Sequence, residues 1–467
     1  MGQSEGQLGH QIEHGVDEGL ERLERALGRA VVRDPHVLTG FVRDQAALAP
    51  AGVPAALVRA RSEDDVIATL RLANAHGIPV VTRAAGTGLA GGANAIDGCI
   101  VLSVAAMDRI VGIDPLTRTA EVEPGVINGR LAAAAVEHGL FYAPDPASRE
   151  ISTIGGNIAT NAGGSCCLKY GVTGDHVAAL RAVLADGTVI RAGSITTKDV
   201  AGLDLKRLLV GSEGTLAVIV RATVRLLPVP PPASTLVAFF SSVREAAEAI
   251  VAMEARAALS LIEVMDRVTV GAVDAMTGMQ LDTEAAAMVL VQSDAPNAAE
   301  VIATCERVCV DHHARDVVCS DDPEEGRMLL QARRMALPAL ERLGTTLLDD
   351  IAVPKPRLPE MFERAVAIGA RHGLVIGTFG HAGDGNLHPT IVFDPRDEAS
   401  TRAAHAAFDE LVRAAVELGG TITGEHGVGT LKQRYVGWAL GEAERALMQR
   451  IKRAFDPNGI LNPGKGY

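Results

Sequence analysis

The chain has 467 residues, 48% hydrophobic and 3% aromatic, with a single Trp and a formal net charge of −13. That length exceeds one ordinary core and calls for two or three domains, and the apolar content excludes general disorder. Scarce aromatics and dispersed excess acid exclude base stacking and a phosphate-backbone partner, so no nucleic acid is expected.

The first residues, M-G-Q-S-E-G-Q, lack the basic start and apolar core of a signal peptide. Gly2 sits where a myristoylated chain needs it, but Gly6 stands where Ser or Thr is required. No run of about eighteen apolar residues occurs, so no transmembrane segment is expected. Leu20, Leu23, Leu27 and Val31 keep helical spacing and predict an amphipathic helix in an N-terminal segment, 1–45. Ser62 is a good N-cap for a helix that stops at Gly77. I-P-V-V-T and C-I-V-L-S read as buried strands, followed by T-A-E-V-E, A-A-L-R-A-V-L-A, T-V-I-R-A and L-A-V-I-V-R-A-T-V-R-L. The proline run Pro228 to Pro232 breaks any element and bounds a region 46–228. Over 229–420, helices such as S-S-V-R-E-A-A-E-A-I-V-A-M-E-A-R alternate with strands such as A-A-M-V-L-V-Q-S. That alternation suggests one sheet backed by helices. Residues 421–467 hold a last helix, G-E-A-E-R-A-L-M-Q-R-I-K-R-A-F, and a D-P-N-G-I-L-N-P-G-K tail. The six cysteines form no C-x-x-C pair, which points to reduced thiols and a cytoplasmic protein.

Two stretches are rich in glycine. Gly86, Gly88 and Gly91 spell G-x-G-x-x-G, but the residues after them read as turn and strand rather than the helix of a Rossmann unit. Backbone N–H groups there can still approach a diphosphate. Ser152 to Gly164 reads as a second loop of the same kind.

His381 and His388 lie seven apart in G-H-A-G-D-G-N-L-H-P, and Glu425 and His426 are adjacent in G-E-H-G-V-G. The G-D-G-N turn places the first two histidines on the arms of a hairpin. Two imidazoles and a carboxylate make a ligand set for a divalent ion, zinc being the one expected, with one coordination position open. His426 is then left as a nearby base, the alternative being a fourth ligand, against which Glu425 is already committed. On a strand it would point away from its neighbour Glu425.

In combination and order, R-A-A-G-T-G-L-A-G-G, T-I-G-G-N-I-A-T-N-A-G-G, K-Y-G-V-T-G-D, V-G-S-E-G-T-L-A-V-I, the two histidine motifs and F-D-P-N-G-I-L-N-P-G-K resemble the FAD-linked 2-hydroxy-acid dehydrogenases of the vanillyl-alcohol oxidase type. Nearest are the glycolate oxidase flavin subunit, FAD-linked D-lactate dehydrogenase and D-2-hydroxyglutarate dehydrogenase. The resemblance covers roughly residues 40–467. It implies an α+β fold: a two-part FAD-binding domain, an α+β substrate cap with an antiparallel sheet, and a C-terminal return to the FAD domain.

It also implies site residues. Arg83, Gly86, Thr87, Gly88, Gly91 and Gly92 would hold the diphosphate. Thr153, Gly155, Gly156, Asn157, Asn161 and Gly163 would line the flavin. Tyr170, Gly171, Glu213, Gly214 and Val218 would continue the cofactor contacts, with Asn462 near the isoalloxazine. His381, His388 and Glu425 match the metal ligands, His426 the base, and Arg333 the arginine that grips the substrate carboxylate, with Arg334 beside it. Relatives with covalent flavin carry a His where this chain has Thr87, so FAD is expected noncovalently. Ala84 and Ala85 replace the usual glycines, and Cys166 and Cys167 stand where one cysteine is usual. The implied reaction is metal-assisted oxidation of a small D-2-hydroxy acid, glycolate or D-lactate, to the 2-oxo acid. D-2-Hydroxyglutarate, or an electron-relay subunit without its own substrate, is the alternative. Electrons would pass to an iron–sulfur subunit, a quinone or an electron-transfer flavoprotein, which would make contact with a membrane peripheral, and a homodimer stays open. An NAD-dependent Rossmann dehydrogenase and a zinc hydrolase are the rival readings.

Overall fold

The computed structural model describes residues 16–46 and 48–467; the polar start and the Gly2 reading lie outside them. Residues 16–27 form the expected helix and bury Leu20 and Leu23. Val31 departs from the expectation. Gly28, at φ +53°, turns the chain, and Val31 enters a short strand paired with Val58.

Three sheets organise the rest. The first has four strands in the order Val31–Val32, Ala56–Arg59, Ile100–Ser103, Val80–Arg83, the last three mutually parallel. Helix Glu63–His76 makes the crossover; Ser62 caps its start and Gly77 ends it in the left-handed conformation. The second sheet is antiparallel, in the order Ile110–Asp114, Thr119–Val122, Val218–Arg225, Val177–Val183, Val189–Gly193. The chain then passes through Leu227–Pro228, which pairs with Leu140–Phe141, and enters the third sheet at Ser234.

That third sheet has eight antiparallel strands. Its order is Asp316–Ser320, Ser234–Phe240, Ala287–Ser293, Leu261–Asp266, Val375–His381, Asn386–Phe393, Thr345–Leu348, with Ile351–Ala352 also paired to Asn386–Phe393. Helices Val243–Glu254, Ala298–Asp311, Leu358–His372 and Glu398–Glu417 share one apolar core with this sheet. Phe362, Phe408 and Leu411 are fully buried there, each contributing roughly 1.5–3 kcal/mol. Cys305 and Cys309 lie in that core on helix Ala298–Asp311. The tail after helix Glu442–Phe455 returns to the first sheet: Leu461 bridges Val80, and Asn462 N–H donates to the Val80 carbonyl. The architecture is α+β. Among the described residues no helix is long and apolar enough to cross a membrane.

Candidate active site

The hairpin expected around G-D-G-N is the pair Val375–His381 and Asn386–Phe393, joined by residues 382–385. His381 faces Asn386 across the ladder, and His388 lies two residues further along the same strand. Residues two apart share a face, so both imidazoles project from one side of the sheet. Their ring centroids are 5.2 Å apart. Glu425 arrives from beyond the sheet, its Oε1 3.2 Å from His381 Nε2 and 3.3 Å from His388 Nε2. The donor atoms of these three residues all lie within 4.8 Å of one another. Two imidazole nitrogens converging on one carboxylate oxygen fit the donor set and compactness of a divalent-ion site.

Burial alone would lower the His381 pKa, but the Glu263 and Glu425 carboxylates outweigh it and hold it well above the imidazole range. Burial pushes Glu425 up, while His381 and His388 pull it well below its ordinary value. Glu263 is fully buried, and its Oε1 lies 2.7 Å from His381 Nδ1. A carboxylate behind the non-ligating nitrogen fixes the tautomer and ring plane of a ligand histidine.

The Glu425–His426 segment is an irregular loop, not a strand. The expected opposite pointing of the two side chains therefore fails. The His426 ring stacks on His388, centroids 5.0 Å apart and planes at 11°, and its Nε2 lies 3.8 Å from Glu425 Oε1. Burial lowers the His426 pKa despite the pull of Asp350, which favours the neutral ring.

Next to this cluster lies a cavity of about 410 Å³. Gly86, Thr87, Gly88 and Gly92 of the first glycine stretch line it, with Ala84 and Ala85. Thr153, Gly155, Gly156 and Asn157 of the second also line it, as do Glu213, Gly214, Glu425 and His426. The second stretch is not a loop throughout. Ile154–Thr160 is a helix, started by Thr153 Oγ1 accepting the Gly156 N–H. Gly155 there packs against Pro124 with no room for a side chain. Gly163 sits outside the wall, where an added Cβ would stand 2.5 Å from Glu425 Oε2; the glycine lets the Glu425 carboxylate approach.

Other residues expected to contact the cofactor are not on the cavity wall. Arg83 is buried and donates to the Arg43 and Ala93 carbonyls. Gly91 abuts Thr430, and Asn161 ends helix Ile154–Thr160. Asn462 Nδ2 donates to the Gly92 and Glu213 carbonyls. Tyr170 donates its hydroxyl to Asp294, Gly171 ends the turn Cys167–Tyr170, and Val218 is buried in its strand. The Thr82 hydroxyl and the Asn157 amide, both at the cavity, are buried without protein partners. Glycines, apolar side chains and such free donors suit a large flat cofactor with a diphosphate. Burial raises the Cys166 and Cys167 thiols, so they stay protonated.

The two arginines part company. Arg333 is buried against Glu263, its Nη2 2.7 Å from Oε2, in ionic contact without hydrogen-bond alignment. Its guanidinium also lies over the Phe379 ring, 4.8 Å from the centroid. Arg334, beside Asp145 at 3.3 Å, is the arginine on the cavity wall. Two groups escaped the sequence reading, Glu263 and Asp350. Each had one visible signal, an acid inside an otherwise apolar run, L-I-E-V-M and L-L-D-D-I-A.

Residues 229–466 match the family model for the C-terminal domain of FAD linked oxidases, and residues 54–193 match that for an FAD binding domain. The glycolate oxidase subunit GlcD of Bacillus subtilis is 42% identical over 89% of this chain and 89% of its own length. A D-lactate dehydrogenase of Anaerostipes hadrus is 32% identical over 96% of this chain and 97% of its own. Substrate-bound p-cresol methylhydroxylase superposes with a TM-score of 0.81 at 19% identity, over 97% of this chain and 96% of that one, a likeness of fold. With a wall of glycines for the cofactor and these relatives spanning nearly all of it, the chain belongs to the FAD-linked oxidases, in the group of glycolate oxidase flavin subunits and FAD-linked D-lactate dehydrogenases, and is an FAD-dependent oxidoreductase of the vanillyl-alcohol oxidase fold.

Proposed function

We propose that the protein oxidises a small D-2-hydroxy acid, glycolate or D-lactate, at its CH–OH group to the 2-oxo acid. One observation carries the reading: the His381–His388–Glu425 donor set reaches the wall of the FAD cavity through Glu425, and His426 lines that wall beside it. When bound, FAD would take the hydride from the α-carbon, and a divalent ion such as zinc would make the hydroxyl more acidic. His381, His388 and Glu425 would hold that ion, with Glu263 fixing the His381 ring. His426 accepts the hydroxyl proton, a role worth roughly 10²–10⁴-fold. We assign the substrate carboxylate to Arg334, which faces the cavity, while Arg333 stays with Glu263. Asp145 already offsets part of the Arg334 charge, which favours a monocarboxylate over 2-hydroxyglutarate. Thr87 lines the cavity where a covalent link would need a histidine, which supports noncovalent FAD.

Two electrons leave with the hydride and must pass on, so a separate acceptor is part of the reading: an iron–sulfur subunit, a quinone or an electron-transfer flavoprotein. The relative from Bacillus subtilis, named as a subunit, supports a multi-component assembly. Six free cysteines suit a reducing, cytoplasmic compartment. The test is an anaerobic visible spectrum titrated with D- and L-hydroxy acids. Bleaching by glycolate or D-lactate is expected; a flavin that stays oxidised with every acid refutes the reading.

A further inference from the structure

Asp350, Glu213 and the loop 424–429 form an arrangement that the reaction alone does not require. Asp350 is fully buried at the edge of the eight-stranded sheet. Its Oδ2 accepts the backbone N–H groups of Gly424, Glu425 and His426 at 2.8–2.9 Å, and the Thr423 hydroxyl at 2.7 Å. Its Oδ1 accepts Asn386 Nδ2 at 2.8 Å, on the hairpin that carries the two histidines. Asp350, His388 and His426 also lie close enough to resemble a second metal cluster. The Oδ2 atom, however, already serves four donors, more than its lone pairs, and Oδ1 accepts Asn386, so both oxygens are engaged by the protein. Behind it, Lys432 is buried, pairs with Asp349 at 2.7 Å, and donates to the Asp350 and Ile422 carbonyls.

Glu213 holds the other end of the loop. It belongs to the turn between helix Leu205–Leu209 and strand Val218–Arg225, and its backbone is left-handed, φ +51°. Its carboxylate accepts the N–H groups of Val428 and Gly429 at 2.8 and 2.7 Å. A strained non-glycine residue at a site persists where its surroundings hold it.

We propose that Asp350 and Glu213 are positioning residues, a clamp of two carboxylates, one from the cap sheet and one from the FAD-binding part, that fixes the backbone carrying Glu425 and His426. Five consecutive or near-consecutive amides are tied to two acceptors, so ligand and base keep one register relative to the flavin cavity and to the histidine hairpin. Their effect on rate rests on the function proposed above; the clamp itself does not. A displacement of about 1 Å at such a site costs on the order of 10²-fold in rate.

The experiment compares wild type with Asp350→Asn, which keeps shape and removes the anionic acceptor. Hydrogen exchange is measured on the peptide spanning 421–432 of the FAD-loaded protein. The amides of 424–426 should exchange roughly tenfold faster in the variant, with FAD content unchanged. Anaerobic reduction by whichever of glycolate or D-lactate bleaches the wild type should slow about 10²-fold, with the substrate dissociation constant within about 3-fold. Should Asp350→Asn not fold, Glu213→Gln carries the same exchange test on 428 and 429. Exchange at wild-type rates overturns the clamp, and an unchanged reduction rate overturns positioning. If no hydroxy acid bleaches the wild type but exchange rises as stated, the functional reading falls and the clamp stands.

Discussion

Replacing Glu263 by Gln should unsettle both the cap and the proposed metal site. The side chain has no exposure, sits in the strand Leu261–Asp266, and divides its carboxylate between His381 Nδ1 and Arg333 Nη2, each at 2.7 Å. Burial pushes its pKa up, but Arg333 and His381 hold it below the ordinary value, so the charge is present in the folded protein. Gln preserves volume and removes that charge. Arg333, itself 5% exposed, is left as an uncompensated cation among apolar side chains. Breaking such a buried pair from one side costs about 3–5 kcal/mol. For a unit of some two hundred residues this lowers the melting transition by roughly 6–20 °C. The same change frees the His381 ring, which should weaken divalent-ion binding by about 10–100-fold. Calorimetry of the FAD-loaded protein and competition with a metal-chelating dye read the two effects separately. A transition within about 2 °C of wild type, with metal affinity within about 3-fold, would refute the reasoning.

Exhaustive chelation should abolish flavin reduction by hydroxy acid and added zinc should restore it; full activity in metal-free protein defeats the assignment of His381, His388 and Glu425. His426→Ala should keep FAD and metal yet slow single-turnover reduction by about 10²–10⁴-fold, and a normal rate ends its role as base. Arg334→Ala should raise KM by roughly 10–100-fold, the worth of one charged hydrogen bond, with a smaller change in kcat. Arg333→Ala should instead lower the melting transition, because Glu263 loses its cation; the reverse pattern would return the carboxylate to Arg333.

The legible parts of this site were local ones. A histidine, a tight turn and a second histidine are fixed by eight consecutive residues, so the hairpin could be read without knowing the fold. The first glycine stretch was legible for the same reason, and the strand after it ruled out a Rossmann turn. The second misled, because two glycines disfavour helix. Thr153 as N-cap and the tight packing of Gly155 on Pro124 override that preference, and both depend on tertiary context. Placing Glu425 and His426 on a strand failed through an absence of pattern: the loop that carries them hydrogen-bonds to distant carboxylates, His426 to Asp350 76 residues away and Gly429 to Glu213 216 residues away. Glu263 acts on His381 across 118 residues. No spacing rule reaches that far, so the supporting carboxylates surface only once the chain is folded.

The ladder pairing of His381 with Asn386 makes the hairpin a ruler. The seven-residue interval is five steps around the bend plus one two-residue pleat. Substitutions between Ala382 and Gly385 leave that sum intact, whereas a single inserted or deleted residue shifts one arm and sends its imidazole through to the opposite surface. Among homologous chains, then, an indel at this bend should coincide with loss of the proposed ion site, even where both histidines survive.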